Sequence, residues 1–190
     1  MDTSNINQVL LDIIKEYYDS FSAKTYDEES LETDPLMNAF GITQELKQEN
    51  KQYWGRELGM CWQRLVTDLC KNLCADFEPA LRIGSDEPCD FRLGQDAIDT
   101  KYRVGSGDSG TLKKFRAYGK FLIERGYRPV LLFVREDNLP AAITACKKGQ
   151  WEIYQGDESF EYIKDKTGFD LKQWLLDIKE SGDYLITRKK

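Results

Sequence analysis

The chain contains no histidine among its 190 residues. That absence excludes Ser-His-Asp and Cys-His catalysis, histidine-based zinc sites and nucleases with a histidine base. Any hydrolysis must therefore be carried by carboxylates, lysine, a metal ion and water. Long apolar runs are missing too: none approaches the ~18 residues of a membrane span, and the N-terminus lacks the basic-then-apolar order of a signal peptide. The five cysteines, Cys61, Cys70, Cys74, Cys89 and Cys146, show no paired C-x-x-C spacing. They read as reduced, mostly buried thiols of a cytoplasmic protein. Cys70 and Cys74 stand at i, i+4, which suits two core thiols on one helix face better than a metal pair. An excess of positive charge is also lacking, since 27 Lys and Arg face 33 Asp and Glu for a net −6. Nucleic-acid binding would need a locally basic surface. Repeats and low-complexity linkers are absent.

What is there reads as one domain, long enough to bury roughly 70% of its unfolded surface. Asn5 to Ala23 carries Val9, Leu10, Ile13, Ile14, Tyr17 and Phe21 at helical spacing. Acidic turn residues Asp27 to Asp34 follow, then a short apolar segment near Leu36 to Phe40. Gln44 to Ala75 predicts one long helix, with Trp54, Leu58, Trp62, Leu65, Leu69 and Leu73 along a stripe. Three strand-like runs come next, Phe77–Ile83, Cys89–Leu93 and Ala97–Val104, punctuated by Gly84–Pro88 and Gly94-Gln95. A helix over Thr111–Arg125, the strong strand RPVLLFVRED, a helix near Leu139–Lys147, a strand at Trp151–Tyr154 and a helix around Asp170–Lys179 complete the chain. The central order is α-β-β-β-α-β.

The stretch DTKYRVGSGDSGTLKK, from Asp99 to Lys114, supports two readings. Gly105 to Gly110 matches G-x-G-x-x-G, the glycine pattern of a dinucleotide site. Such a site follows a strand buried on both faces, whereas the strand here alternates Asp99, Lys101 and Arg103. The cofactor reading loses, and the glycines become a loop between strand and helix.

Asp99-Thr100-Lys101 is an acidic-x-lysine triplet. Glu45/Lys47, Glu49/Lys51, Asp170/Lys172 and Asp177/Lys179 repeat the pattern, but in helix-like surroundings where solvated charges suffice. In a strand, residues i and i+2 share a face. A two-residue turn at Gly94-Gln95 sets Leu93 against Asp96 and therefore Asp90 against Asp99, with Cβ atoms about 4.5–5.5 Å apart. Opposed carboxylates repel unless a cation sits between them. The same three side chains also suit the wet face of an antiparallel sheet, with Lys101 neutralising the acids. Spacing alone leaves both readings open.

With PCDFRLGQDAIDTKYR in an α-β-β-β-α-β context, the chain resembles the PD-(D/E)xK nuclease superfamily and, within it, the orthodox type II restriction endonucleases. The block AIDTKYRVGSGDSGTLKKF is similar to the ApaLI-like group. The resemblance covers roughly residues 51–136, and its motif is short. Pro88 and Asp90 are separated by Cys89, where the name-giving motif has them adjacent. The resemblance implies an α/β (α+β) restriction-endonuclease-like core at 51–136, a mixed central β-sheet flanked by helices. It leaves a helical N-terminal part at 1–50 and an α/β extension at 137–190.

It further implies catalysis by Asp90, Asp99 and Lys101, with Glu57 as the candidate for an additional glutamate from the preceding helix. Mg2+, with Mn2+ able to substitute, would be held by Asp90, Asp99 and the Thr100 carbonyl. The expected activity is hydrolysis of double-stranded DNA at a short palindrome, leaving 5′-phosphates. The expected partners are a second copy of the chain and a cognate DNA methyltransferase. Arg103, Ser106, Ser109, Lys113, Lys114 and Arg116 cluster after the motif as candidate DNA contacts. Two alternatives stand beside this: a structure-selective or nicking nuclease of repair or phage defence, and a non-catalytic α/β interaction protein.

Overall fold

The computed structural model describes residues 30–84, 86–105 and 109–186, with Lys15 alone before them. The amphipathic stretch Asn5–Ala23, Lys15 excepted, and Ser106 lie outside the described residues.

From Ser30 onward the first helix is α1 (Pro35–Ala39), whose first turn is closed by the Asp34 carboxylate accepting from Met37 N–H at 2.9 Å. The single long helix expected from Gln44 is divided: α2 (Gln44–Glu49) and α3 (Lys51–Leu73) meet at Asn50. Asn50 has the non-helical angles φ −152°, ψ 75°, and its side chain accepts from Tyr53 N–H to start α3. A capping side chain restarts the helix here, where periodicity shows no interruption. Leu58, Trp62, Val66 and Cys70 are the buried face of α3, four residues apart.

Five strands form one sheet in the order β1-β2-β3-β4-β5: β1 (Phe77–Pro79), β2 (Phe91–Leu93), β3 (Asp96–Lys101), β4 (Arg128–Phe133) and β5 (Glu152–Gln155). β1, β2 and β3 pair antiparallel, and β3, β4 and β5 pair parallel. Helix α4 (Ser109–Ile123) crosses from β3 to β4, and α5 (Pro140–Lys148) from β4 to β5. Two helices end the described chain, α6 (Asp157–Thr167) and α7 (Leu171–Ser181). The α-β-β-β-α-β order of the middle is present as α3-β1-β2-β3-α4-β4.

Helices cover both faces. Phe91, Leu93, Ile98, Val130 and Leu132 face α1, α3, α6 and α7, while Ala97, Leu131 and Phe133 face α4 and α5. β4 is therefore apolar at every position after Pro129, as a strand covered on both sides must be. Trp62 anchors the first layer by donating from its indole nitrogen to the Leu132 carbonyl at 3.2 Å. In the second layer Gly119 lets α4 approach the carbonyl of Gly149 and the Trp151 indole.

The hairpin turn is the two residues Gly94-Gln95, with Gly94 at φ 55°. Glycine first in a two-residue turn is the type II′ signature, and it pairs Leu93 with Asp96.

The strand-like runs are shorter than expected at their outer ends, because Leu81 to Asp90 leaves the ladder. Helix α6 has no counterpart in the sequence reading. Its charged letters, DESFEYIKDKT, hide Ser159, Phe160, Tyr162 and Ile163, which are buried. Lys47, read as a solvated charge, is 2% exposed. Tyr102 and Asp34 arrive from distant chain positions to form its surroundings. All five cysteines are free thiols; Cys70, Cys89 and Cys146 are buried.

Candidate active site

The β2–β3 register ends with Phe91 opposite Ile98, so Asp90 stands one residue outside the ladder, where its carboxyl comes beside that of Asp99. The Asp90 N–H donates to Ile98 O at 2.8 Å, which keeps the chain against β3. The Asp90 carboxylate is tightly held. One oxygen accepts from Thr100 N–H at 2.7 Å and from the Thr100 hydroxyl at 2.6 Å. The other accepts from the Gln63 amide of α3 at 2.7 Å.

On β3, Asp99 and Lys101 share the face covered by α4 and α5. The Lys101 ammonium donates to Asp99 Oδ1 at 2.8 Å and to the Thr100 carbonyl at 3.2 Å. The Asp99 side chain is only 13% exposed and Lys101 36%. Burial is the largest influence on Asp99 and pushes its carboxyl up; Lys101 pulls it down and Asp90 pushes it up again, leaving it at about 6. Burial works against the Lys101 ammonium, but Asp99 and then Asp90 outweigh it and raise its pKa. Two carboxylates, one backbone carbonyl and one lysine thus meet at the open end of the hairpin.

Glu57 is not part of this group. It forms an exposed pair with its neighbour Arg56 at 2.9 Å and lines an apolar groove between α3 and α7. The α3 side chain that reaches Asp90 is Gln63. Six residues separate the two, about 240° around a helix at 100° per residue, so they face different ways. The signal for Gln63 was present: it immediately follows Trp62, the most buried residue of the stripe, and so flanks the sheet.

The candidate DNA contacts are dispersed. Arg103 is 17% exposed and donates to the Asp137 carbonyl at 3.0 Å and carboxylate at 3.1 Å. Ser109, Lys113 and Arg116 are exposed on the first turns of α4, and Lys114 reaches Asp86 at 3.6 Å.

Among the described residues no group of three or more His, Cys, Asp or Glu is placed to hold a metal ion. The oxygen donors at this point are two carboxylates and the Thr100 carbonyl. That set is hard in character and fits Mg2+, which keeps several of its own waters. Asp99 supports the fit: burial first, and Asp90 beside it, disfavour its charged form, which a bound cation would stabilise.

The fold and site define a mixed-sheet α+β protein with an acidic-lysine cluster at the end of a central hairpin. No family model, curated protein or solved structure matches the chain. No helix among the described residues is long and apolar enough to cross a membrane.

Proposed function

We propose that the protein is a Mg2+-dependent endodeoxyribonuclease that hydrolyses phosphodiester bonds at Asp90, Asp99 and Lys101. The observation that carries this reading is the convergence of Asp90, Asp99, the Thr100 carbonyl and Lys101 on one partly buried point of the sheet. The Asp99 carboxyl, raised to about 6 chiefly by burial and also by the neighbouring Asp90, is a group whose charged form a bound cation would favour.

In this reading Asp90 and Asp99, with the Thr100 carbonyl, hold the metal ion. The ion, when bound, supplies Lewis acidity toward the phosphate and lowers the pKa of its bound water. Lys101 orients the attacking water and faces the negative charge that develops on the phosphate. Thr100 and Gln63 fix the Asp90 carboxylate, so its orientation is set before substrate arrives.

The finer proposal is a type II restriction endonuclease: a homodimer cutting a short palindrome in double-stranded DNA, leaving 5′-phosphates, alongside a methyltransferase that protects the same sequence. It is supported by the α-β-β-β-α-β order around the cluster and by the resemblance of the AIDTKYR block. The test is incubation with supercoiled plasmid and Mg2+, followed by sequencing of the ends. Discrete fragments with one end sequence are expected. A smear or nicked circles would replace sequence-specific cleavage by a structure-selective nuclease. No Mg2+- or Mn2+-dependent cleavage would overturn the catalytic reading.

A further inference from the structure

Beyond Lys101 the chain runs through Tyr102 and Arg103 to Gly105 and, with the first half of α3, encloses a cleft of about 490 Å3. Its charged lining residues are Lys47, Lys51, Arg56 and Arg103, with no carboxylate among them. The whole chain carries net −6. Like charges gathered on one wall repel, so this segregation runs against the average surface of the molecule.

Two of the cations are fixed. Lys47 donates to the Tyr102 hydroxyl at 3.2 Å, and that hydroxyl donates to Asp34 at 2.5 Å. Arg103 is oriented by Asp137, which is itself gripped by Arg135 at 2.9 Å. The other two cations are exposed to solvent. Lys51 is exposed and has no ion-pair partner among the described residues, and Arg56 is 67% exposed, paired with the partly exposed Glu57 and lying 6.0 Å over the Tyr53 ring. Exposed pairs of that kind are worth about 0–1 kcal/mol, so Arg56 is readily redirected.

The cleft is continuous with the acid cluster along one stripe of α3. Gln63 touches Asp90, Gly59 brings Tyr102 Cβ within 3.8 Å of where its own Cβ would stand, and Gly55 leaves open space above the helix. Glycine at two such positions costs about 1 kcal/mol each in a helix interior. From Gln63 to Gly55 is about 12 Å along the axis. A nucleic-acid strand advances about 3.4 Å per nucleotide, so the cleft lies about three to four nucleotides from Asp90.

We infer that this cleft is a backbone-phosphate subsite flanking the scissile bond, with Lys51 and Arg56 closing on phosphates over a floor of Lys47 and Arg103. The inference rests on the nuclease reading for the identity of its ligand. It puts the strand's path over α3, away from the start of α4 where Lys113, Lys114 and Arg116 stand.

The test is fluorescence anisotropy with a labelled 20-base-pair duplex, in an Asp99→Asn background without divalent ions, from 50 to 200 mM salt. Lys51→Gln with Arg56→Gln should weaken binding about tenfold and lower the salt slope by nearly 2, as expected for about two lost phosphate contacts. Lys164→Gln with Lys179→Gln makes the same charge change on α6 and α7 and should leave the slope as it was. A Lys51/Arg56 variant with an unaltered slope, a control that lowers it equally, or no duplex binding by the background protein overturns the subsite. Plasmid cleavage by the unsubstituted protein is scored separately. Cleavage with an unaltered slope removes the subsite and keeps the nuclease, whereas a lowered slope without cleavage keeps the subsite and removes the nuclease.

Discussion

Asp99→Asn should make the metal-free protein more stable at neutral pH while abolishing its cleavage activity. The Asp99 carboxyl moves from an ordinary 3.8 in the unfolded chain to about 6 in the folded one, through burial and the facing Asp90. A raised carboxyl pKa means that folding favours the protonated form. Its stabilising contribution is therefore present below about pH 3.8 and is lost as pH rises through 6. About two pKa units correspond to about 3 kcal/mol at pH 7. This value already contains the attraction of Lys101, which the amide forfeits. Allowing for water that reaches the 36% exposed Lys101, a gain of about 2–3 kcal/mol is expected, or a Tm rise of about 4–12 °C for a chain of this size. Thermal unfolding of both proteins at pH 3, 5 and 7 measures it: the difference should be near zero at pH 3 and largest at pH 7. Adding Mn2+ should raise the Tm of the parent and leave that of Asp99→Asn unmoved. A variant less stable than the parent at pH 7, or a difference independent of pH, would refute the account of Asp99 as a carboxylate whose burial outweighs its pairing with Lys101.

Three further outcomes are expected. Lys101→Ala should lose most cleavage yet retain Mn2+ binding by isothermal titration, because the ammonium is not a ligand; equal loss of binding in Lys101→Ala and Asp99→Asn would show the lysine misassigned. Asp96 behaves oppositely to Asp99: burial would raise its pKa, but Arg128, Lys166 and Tyr162 outweigh it and hold it at about 2. Its contribution is present above the unfolded pKa and lost as pH falls toward 2, so Asp96→Asn should cost about 2–3 kcal/mol at pH 7 in urea unfolding and almost nothing near pH 2. Gly119→Ala, which ordinarily strengthens a helix by about 1 kcal/mol, should instead destabilise by about 1–3 kcal/mol, since the added methyl meets the Gly149 carbonyl and the Trp151 indole. A Tm at or above the parent's would show that α4 can withdraw freely.

The local features were legible in the order of the residues alone. Absence of histidine limited the chemistry to carboxylates, lysine and metal. Gly94-Gln95 specified a two-residue turn, and a turn of known length fixes which residues face each other across a hairpin, so Leu93 opposite Asp96 and Phe91 opposite Ile98 were legible from the letters, whereas Asp90 leaves the ladder one residue short of pairing with Asp99. Alternation placed Asp99 and Lys101 on one face, and the apolar run of β4 announced a strand covered on both sides. Tertiary structure decided whatever depends on the angle at which elements meet. Glu57 and Gln63 lie on the same helix, and only the rotation set by Trp62 against Leu132 turns Gln63 toward Asp90 and Glu57 away. Lys47 resembles any helical surface lysine until Tyr102, 55 residues downstream, supplies the hydroxyl that lets it be buried. The grouping of Lys47, Lys51, Arg56 and Arg103 likewise joins two helices to the end of a strand. Local periodicity reports which way a side chain points from its own element; what it meets there is set by packing between elements far apart in the chain.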